Sequence, residues 1–274
     1  MWWKKLSGAT ESKVKRARNL MILLLVFLIP SVITAVSGQA RYAEPKTGDP
    51  VALTKAGFNY SRSGEYAEAV EALTRAIEIK PTLPEAHYLL GVTYNNMGLY
   101  PEAAAAFKEA IRLKPEYSEA HSGLGVAYNC LQRFDESVEA LRLAIRLAPR
   151  WAQPYVNLSV TYVNQRRFKE AVTASRQAIQ LEPDLAESHY TLGVAFGHLH
   201  KYEEATESFN RAILLRPNYA DAHLNLGVIF LLLHKKAAAI EQYRKIQAMN
   251  PSLARELFNA IYKGKILTLS PRKP

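Results

Sequence analysis

With one cysteine in 274 residues, Cys130, the chain can form no intramolecular disulfide, so its fold does not depend on an oxidising compartment. The short patterns that announce catalysis are missing too. There is no zinc-type helix motif, no glycine-rich phosphate loop, no glycine-flanked serine and no pair of carboxylates in an obvious cleft. Enzymatic activity is therefore not expected, and no cofactor is implied. Charge of one sign is not concentrated in the body of the chain. The formal net charge is +10, but half of that surplus is Lys4, Lys5, Lys13, Lys15, Arg16 and Arg18 against Glu11. The rest is interspersed with glutamates, which leaves a nucleic acid no basic stripe to bind.

Long apolar runs are scarce as well, with one at Leu20 to Ile29 that extends weakly across Pro30 to Val36. It lies between the basic lead and a small-residue stretch ending Ser37-Gly38-Gln39-Ala40, the layout of a secretory signal peptide cut after Ala40. Leu20 to Val36 is 17 residues, which also reaches the lower limit for an uncleaved span. Residues 1–40 are thus expected to be a signal peptide or a signal anchor, the membrane being a partner in the second case. Either way, six basic residues hold the N-terminus in the cytoplasm and send the C-terminal part of the chain to the far, periplasmic or extracytoplasmic side. A polar linker, 41–49, comes next, with Pro45 and Gly48.

The remainder is filled by a repeat. Pro81, Pro115, Pro149, Pro183, Pro217 and Pro251 stand 34 residues apart. Counting each unit from the third residue after its leading proline, the eighth place is small: Gly57, Gly91, Gly125, Ser159, Gly193 and Gly227. The eleventh is aromatic, the twentieth small again (Ala69, Ala103, Ser137, Ala171, Ala205, Ala239), and the twenty-seventh alanine in every unit but the last. This pattern predicts two helices in a hairpin. Small residues let them approach, large ones at the fourth, seventh, eleventh and twenty-fourth places fill the space around the contact, and proline ends the second helix. One unit cannot bury its apolar face alone, so stacking has to build a continuous core.

The period and these offsets resemble the tetratricopeptide repeat (TPR) family from Pro50 to Pro251. The resemblance implies an all-α fold, a right-handed superhelical solenoid of helix-turn-helix repeats with a C-terminal capping helix. Repeats are placed at 50–83, 84–117, 118–151, 152–185, 186–219 and 220–251, the cap at 252–262 from the spacing of Leu253, Leu257, Phe258 and Ile261, and a basic tail at 263–274. The turn within each pair has Gly64 and Gly98 first, then Gln132, Arg166, His200 and His234.

His87, His121, His189 and His223 share the fourth place of four units. Successive copies should stand roughly 10 Å apart, as packed helices do, whereas a metal needs donors at about 2 Å; packing, and no metal, is the expectation. The family's first helices line the concave surface, which directs attention to places five, nine, twelve and thirteen. The ninth is a valine ladder, Val92, Val126, Val160, Val194 and Val228, after Phe58. Beside it stand Tyr88 and Tyr190, with Asn95, Asn96, Asn129 and Asn164 along the edge. An apolar floor edged by amides suits an extended peptide, because each amide both donates to and accepts from a backbone.

The carboxylate clamp of chaperone-tail-binding relatives is not present: its places hold Thr54, Phe58, Leu89, Glu119 and Gly123. Acidic residues at the second place, Glu85, Glu119, Glu187 and Asp221, would repel a carboxylate. In the sixth unit, Leu224, Val228, Leu231 and Leu232 should make the groove greasy at its C-terminal end, unless the capping helix or the tail Ile266 to Leu269 folds over them. The expected function is a non-enzymatic scaffold or adaptor that takes a protein or peptide in the groove. A structural subunit of an envelope assembly, joined through its outer face or ends, is the alternative.

Overall fold

Asp49 starts the array: its carboxylate accepts from the backbone N–H groups of Val51 and Ala52, and Pro50 supplies the first helical residue, where no N–H is needed. The computed structural model describes residues 48–263 and Leu269; the expected signal or anchor segment, most of the linker, and Ile266 lie outside the described residues. Thirteen helices and no strand occur among those residues.

The first members of the pairs are α1 (Pro50–Ser63), α3 (Pro84–Asn96), α5 (Ser118–Cys130), α7 (Ala152–Asn164), α9 (Ala186–His198) and α11 (Ala220–Leu232). Their partners are α2 (Tyr66–Ile79), α4 (Tyr100–Leu113), α6 (Phe134–Leu147), α8 (Phe168–Leu181), α10 (Tyr202–Leu215) and α12 (Lys236–Met249), and α13 (Pro251–Lys263) closes the stack. Each of α2, α4, α6, α8 and α10 stops two residues before its proline. The sixth proline instead opens α13, where the Asn250 side chain accepts from the N–H groups of Ser252 and Leu253. No described helix is long and apolar enough to cross a membrane.

Every turn within a pair passes through the left-handed region. Gly64 and Gly98 do so without a side chain (φ 80° and 74°), whereas Gln132, Arg166, His200 and His234 adopt φ of 58° to 62° with one. The close approach between paired helices is equally literal. A Cβ on Gly125 would stand 2.5 Å from Leu141 Cγ, and one on Gly57 2.5 Å from Leu73 Cγ. Phe107 is wedged between two glycines, Gly91 of its own repeat and Gly123 of the next, at 2.8 Å and 2.5 Å from their would-be Cβ atoms. Repeat four solves the contact differently. Ser159 faces Ser175, their hydroxyls 2.7 Å apart, and Ser175 continues to Thr191 at 3.0 Å, so the small pair is compensated by buried hydrogen bonds.

First helices touch first helices along the whole stack, α1 on α3 and so on to α11, while no second helix touches the next second helix among the described residues. Crowding on one layer and splay on the other makes the layer of first helices the concave side of a superhelical solenoid. At the C-terminal end α13 packs on both α11 and α12, and its Leu257 enters the slot at Gly227 that a side chain of the second helix fills in the earlier glycine-bearing repeats.

Candidate functional site

The concave face carries two adjoining pockets. The larger, about 600 Å³, runs across repeats two to four and is lined by Tyr88, Val92, Asn95, Asn96 and Val126 together with Tyr100, Cys130 and Trp151. The second, about 290 Å³, continues from it across repeats three to six, with Val126, Asn129, Val156, Val160 and Tyr190 on its walls. The expected valine floor and amide edge therefore come together from Tyr88 to Tyr190.

The amides are partly engaged with one another. The Asn164 side chain donates to the Asn129 side-chain oxygen, Oδ1, at 2.9 Å, tying two first helices, while the Asn95 side-chain oxygen is buried without a partner among the described residues. At the sixth place, Asn157 donates to the Ser122 hydroxyl and Asn225 to the Tyr190 hydroxyl, at 3.3 and 3.0 Å. Asn96 and Asn164 are exposed.

Beyond Tyr190 the face is filled. Val194 and Val228 are buried at 0% and 5% exposure, in one apolar cluster with Leu269. Leu224 is buried under α13, Leu231 is half-buried against the same helix, and Leu232 alone of the four C-terminal apolar residues stays exposed. Both covers that the sequence allows thus operate, α13 on Leu224 and a tail residue, Leu269, in the cluster that buries Val228. Val194, Leu224 and Val228 are core, where an open greasy end was the alternative.

Two lining residues, Trp151 and Tyr219, lie outside the places that the repeat pattern singles out. With Tyr117 they stand just before the first helices, 34 residues apart or a multiple of it, so the same periodicity would have found them. Tyr117 packs on Tyr88 and Tyr219 on Tyr190, with ring centroids 5.0 and 4.9 Å apart. Burial, followed by the charge of Glu187, pushes the Tyr219 hydroxyl well above the ordinary phenol range, so it remains a donor. Glu187 and Asp221 line the second pocket, Glu187 paired with Arg216, whose guanidinium lies over the Tyr219 ring at 4.8 Å.

The recurring histidines have a structural task. Nε2 of His87, His121, His189 and His223 lies 2.9, 2.9, 2.8 and 3.0 Å from the carbonyl oxygen of the proline six residues earlier. In repeat four the Tyr155 hydroxyl donates to Pro149 in the same way, at 3.3 Å. Each bond straps the loop before a first helix to that helix. No group of three or more histidine, cysteine or acidic residues able to hold a metal occurs among the described residues.

A family model described as the Cilia and flagella-associated protein 70 C-terminal domain, a TPR domain, matches residues 29–256. No curated protein matches the chain. Among solved structures, the chain is similar to one in the APC/C hetero-tetramer Cut9-Hcn1, with a TM-score of 0.71 at 20% identity over 92% of this chain, and it spans about half (47%) of that one. PilW, a type IV pilus biogenesis factor, superposes with a TM-score of 0.70 at 19% identity over 76% of this chain and 98% of its own. Pseudomonas aeruginosa pilF gives a TM-score of 0.65 at 18% identity, covering 77% and 96%. At such identities the likeness is one of fold.

Proposed function

The chain belongs to the tetratricopeptide repeat family, and from that premise we propose that it is a non-enzymatic scaffold whose concave groove binds an extended segment of a partner protein on the far side of a membrane. The observation that carries this reading is the continuous pair of pockets, valine-floored and amide-edged, running across repeats two to six. An extended chain laid there meets apolar seats at Val92, Val126 and Val160 and the exposed amide of Asn96. Glu187, Asp221 and Glu119 on the walls disfavour acidic segments, so the partner segment is apolar and neutral or basic. The solved relatives are named for work in assemblies, a hetero-tetramer in one case and pilus biogenesis in another, which agrees with a role inside a complex.

Selection of a random displayed-peptide library on the chain tests the groove. Selected peptides should lose binding to Val126→Asp with Val160→Asp, a pair of half-buried sites whose variant should keep its helical melting curve. They should also weaken about tenfold on Asn96→Ala, the value of one hydrogen bond. Peptides indifferent to both variants would move the interface elsewhere. The cap supplies the observation for that second reading: Phe258 and Tyr262 are 36% and 52% exposed on the end of the array, a surface through which an envelope subunit could join its neighbours. Export rests on the basic lead and apolar run. A reporter fused after Pro274 should be active outside the cytoplasm, and N-terminal sequencing should distinguish cleavage after Ala40 from an intact anchor.

A further inference from the structure

Gly197 has no explanation inside its own repeat. The eighth-place glycines each face a large residue of a partner helix, and Gly123 faces Phe107, but a Cβ on Gly197 would run into Leu269, with Ile229 Cδ1 next at 3.3 Å. Its place, the twelfth, holds Ser61, Asn95, Asn129, Val163 and Leu231 in the other repeats. Glycine within a helix weakens it, and here the exchange creates room for one leucine side chain. The neighbouring residue reads the backbone of that leucine. His198 Nε2 lies 2.7 Å from the Leu269 carbonyl oxygen, 71 residues away in sequence, and the imidazole is held flat on Phe168 with centroids 4.5 Å apart and planes 6° from parallel. Leu269 is 7% exposed as a result. Side chain and carbonyl of a single residue are thus both recognised, as a peptide-binding subsite recognises an anchor.

We propose that the slot formed by Gly197, His198 and Ile229 is a leucine-reading subsite of the groove, occupied at rest by this chain's own Leu269, which makes the C-terminal segment an internal competitor of the partner peptide. The inference rests on the peptide-groove reading above and names the anchor it selects. Tethering through the residues after Lys263 gives Leu269 an effective concentration on the order of millimolar, enough to hold off a peptide of ordinary micromolar affinity.

The test uses a fluorescently labelled peptide of residues 264–274, GKILTLSPRKP, and fluorescence polarisation with the full chain. Leu269→Asp, which empties the slot, should bind this peptide at least tenfold more tightly than the unaltered chain, and a peptide carrying the same change should not bind. Adding Gly197→Ala to the Leu269→Asp chain should abolish binding while the helical melting temperature holds or rises, since alanine is the better helix former. Equal binding by the unaltered and Leu269→Asp chains, no binding by either, or binding that survives Gly197→Ala would each overturn the proposal. If library peptides still depend on Val126 and Val160 in that event, the groove reading stands and only the competitor falls.

Discussion

The ninth-place valine lives in two different worlds along one array. In repeats two to four, Val92, Val126 and Val160 are half-buried and floor open pockets; in repeats five and six, Val194 and Val228 are core. The residue and its place in the repeat are the same. The difference lies elsewhere: Asn95 and Asn129 at the twelfth place in the middle, Gly197 and Leu231 at the end, and above the end two elements that are not repeats, α13 and Leu269. A recurrent residue in a solenoid therefore has no fixed environment of its own, and the segments that break the period decide which stretch of the face is free for a partner.

The strongest test of that contrast removes one large core side chain from each region. Phe107→Ala in the middle should cost about 3–5 kcal/mol, and Leu257→Ala in the cap about 2–5 kcal/mol, because each empties a fully buried slot against glycine. Their reach should differ. Phe107 lies between two repeats, so hydrogen exchange should quicken in repeats two and three; Leu257 has the array on one side only, so quickening should stay in repeat six and α13. Uniform loosening from Pro50 to Pro251 by either variant would dissolve the distinction. Gly125→Leu probes the middle from the opposite direction. With Leu141 already 2.5 Å from the would-be Cβ, overpacking should cost about 1–3 kcal/mol and loosen repeats two to four.

Much of this architecture was legible because a period carries its own evidence. The 34-residue recurrence located helices and turns, and the smallness of the eighth place foretold a contact that the 2.5 Å approach at Gly125 makes concrete. The fourth-place histidines are legible as packing residues, but their bond to a proline carbonyl six residues back depends on a loop path that residue types do not encode. Tyr117, Trp151 and Tyr219 recur in step with the array but precede the helices on which the family's groove positions lie. The end of the groove was not decidable. Whether Leu224, Leu231 and Val228 faced solvent depended on elements outside the repeats, α13 for the first two and the cluster that holds Leu269 for the third, and Gly197 shows its purpose only when that leucine is in place.

A smaller effect separates the regions through their turns. The first two turns carry glycine in the left-handed conformation, whereas Gln132 and His234 adopt it against the clash of a Cβ with the backbone. Gln132→Gly and His234→Gly should each stabilise by about 0.5–1 kcal/mol, the steric relief exceeding the entropy that glycine adds to the unfolded chain. Thermal melts would show whether the middle and the C-terminal end of the array respond alike. A gain at Gln132 without one at His234 would mean that the last repeat frays before its turn is felt.

The least of the expected effects is also the one that only the C-terminal end can show. Burial lowers the pKa of His198 below the ordinary imidazole value of 6.5, the positive charge of Arg166 and the nearby His200 adding to it, and the bond to the Leu269 carbonyl opposes them without prevailing. Between the folded value and 6.5 the unfolded chain binds more protons than the folded one, so stability rises with pH through that window and is lost as pH falls through the folded value. Above 6.5 the group contributes no slope. His198→Gln keeps an N–H to offer the Leu269 carbonyl but cannot be charged, so the drop in melting temperature between neutral pH and a pH just below 6.5 should shrink in that variant while the tail stays seated. The amides Asn95, Asn129 and Asn164 that edge the middle of the groove carry no titratable proton in this range, and Asn129→Ala is the matched control. An identical acid shift in His198→Gln and the unaltered chain would show that the histidine is already as easily protonated in the fold as outside it, and the contrast between the two ends would then rest on packing alone.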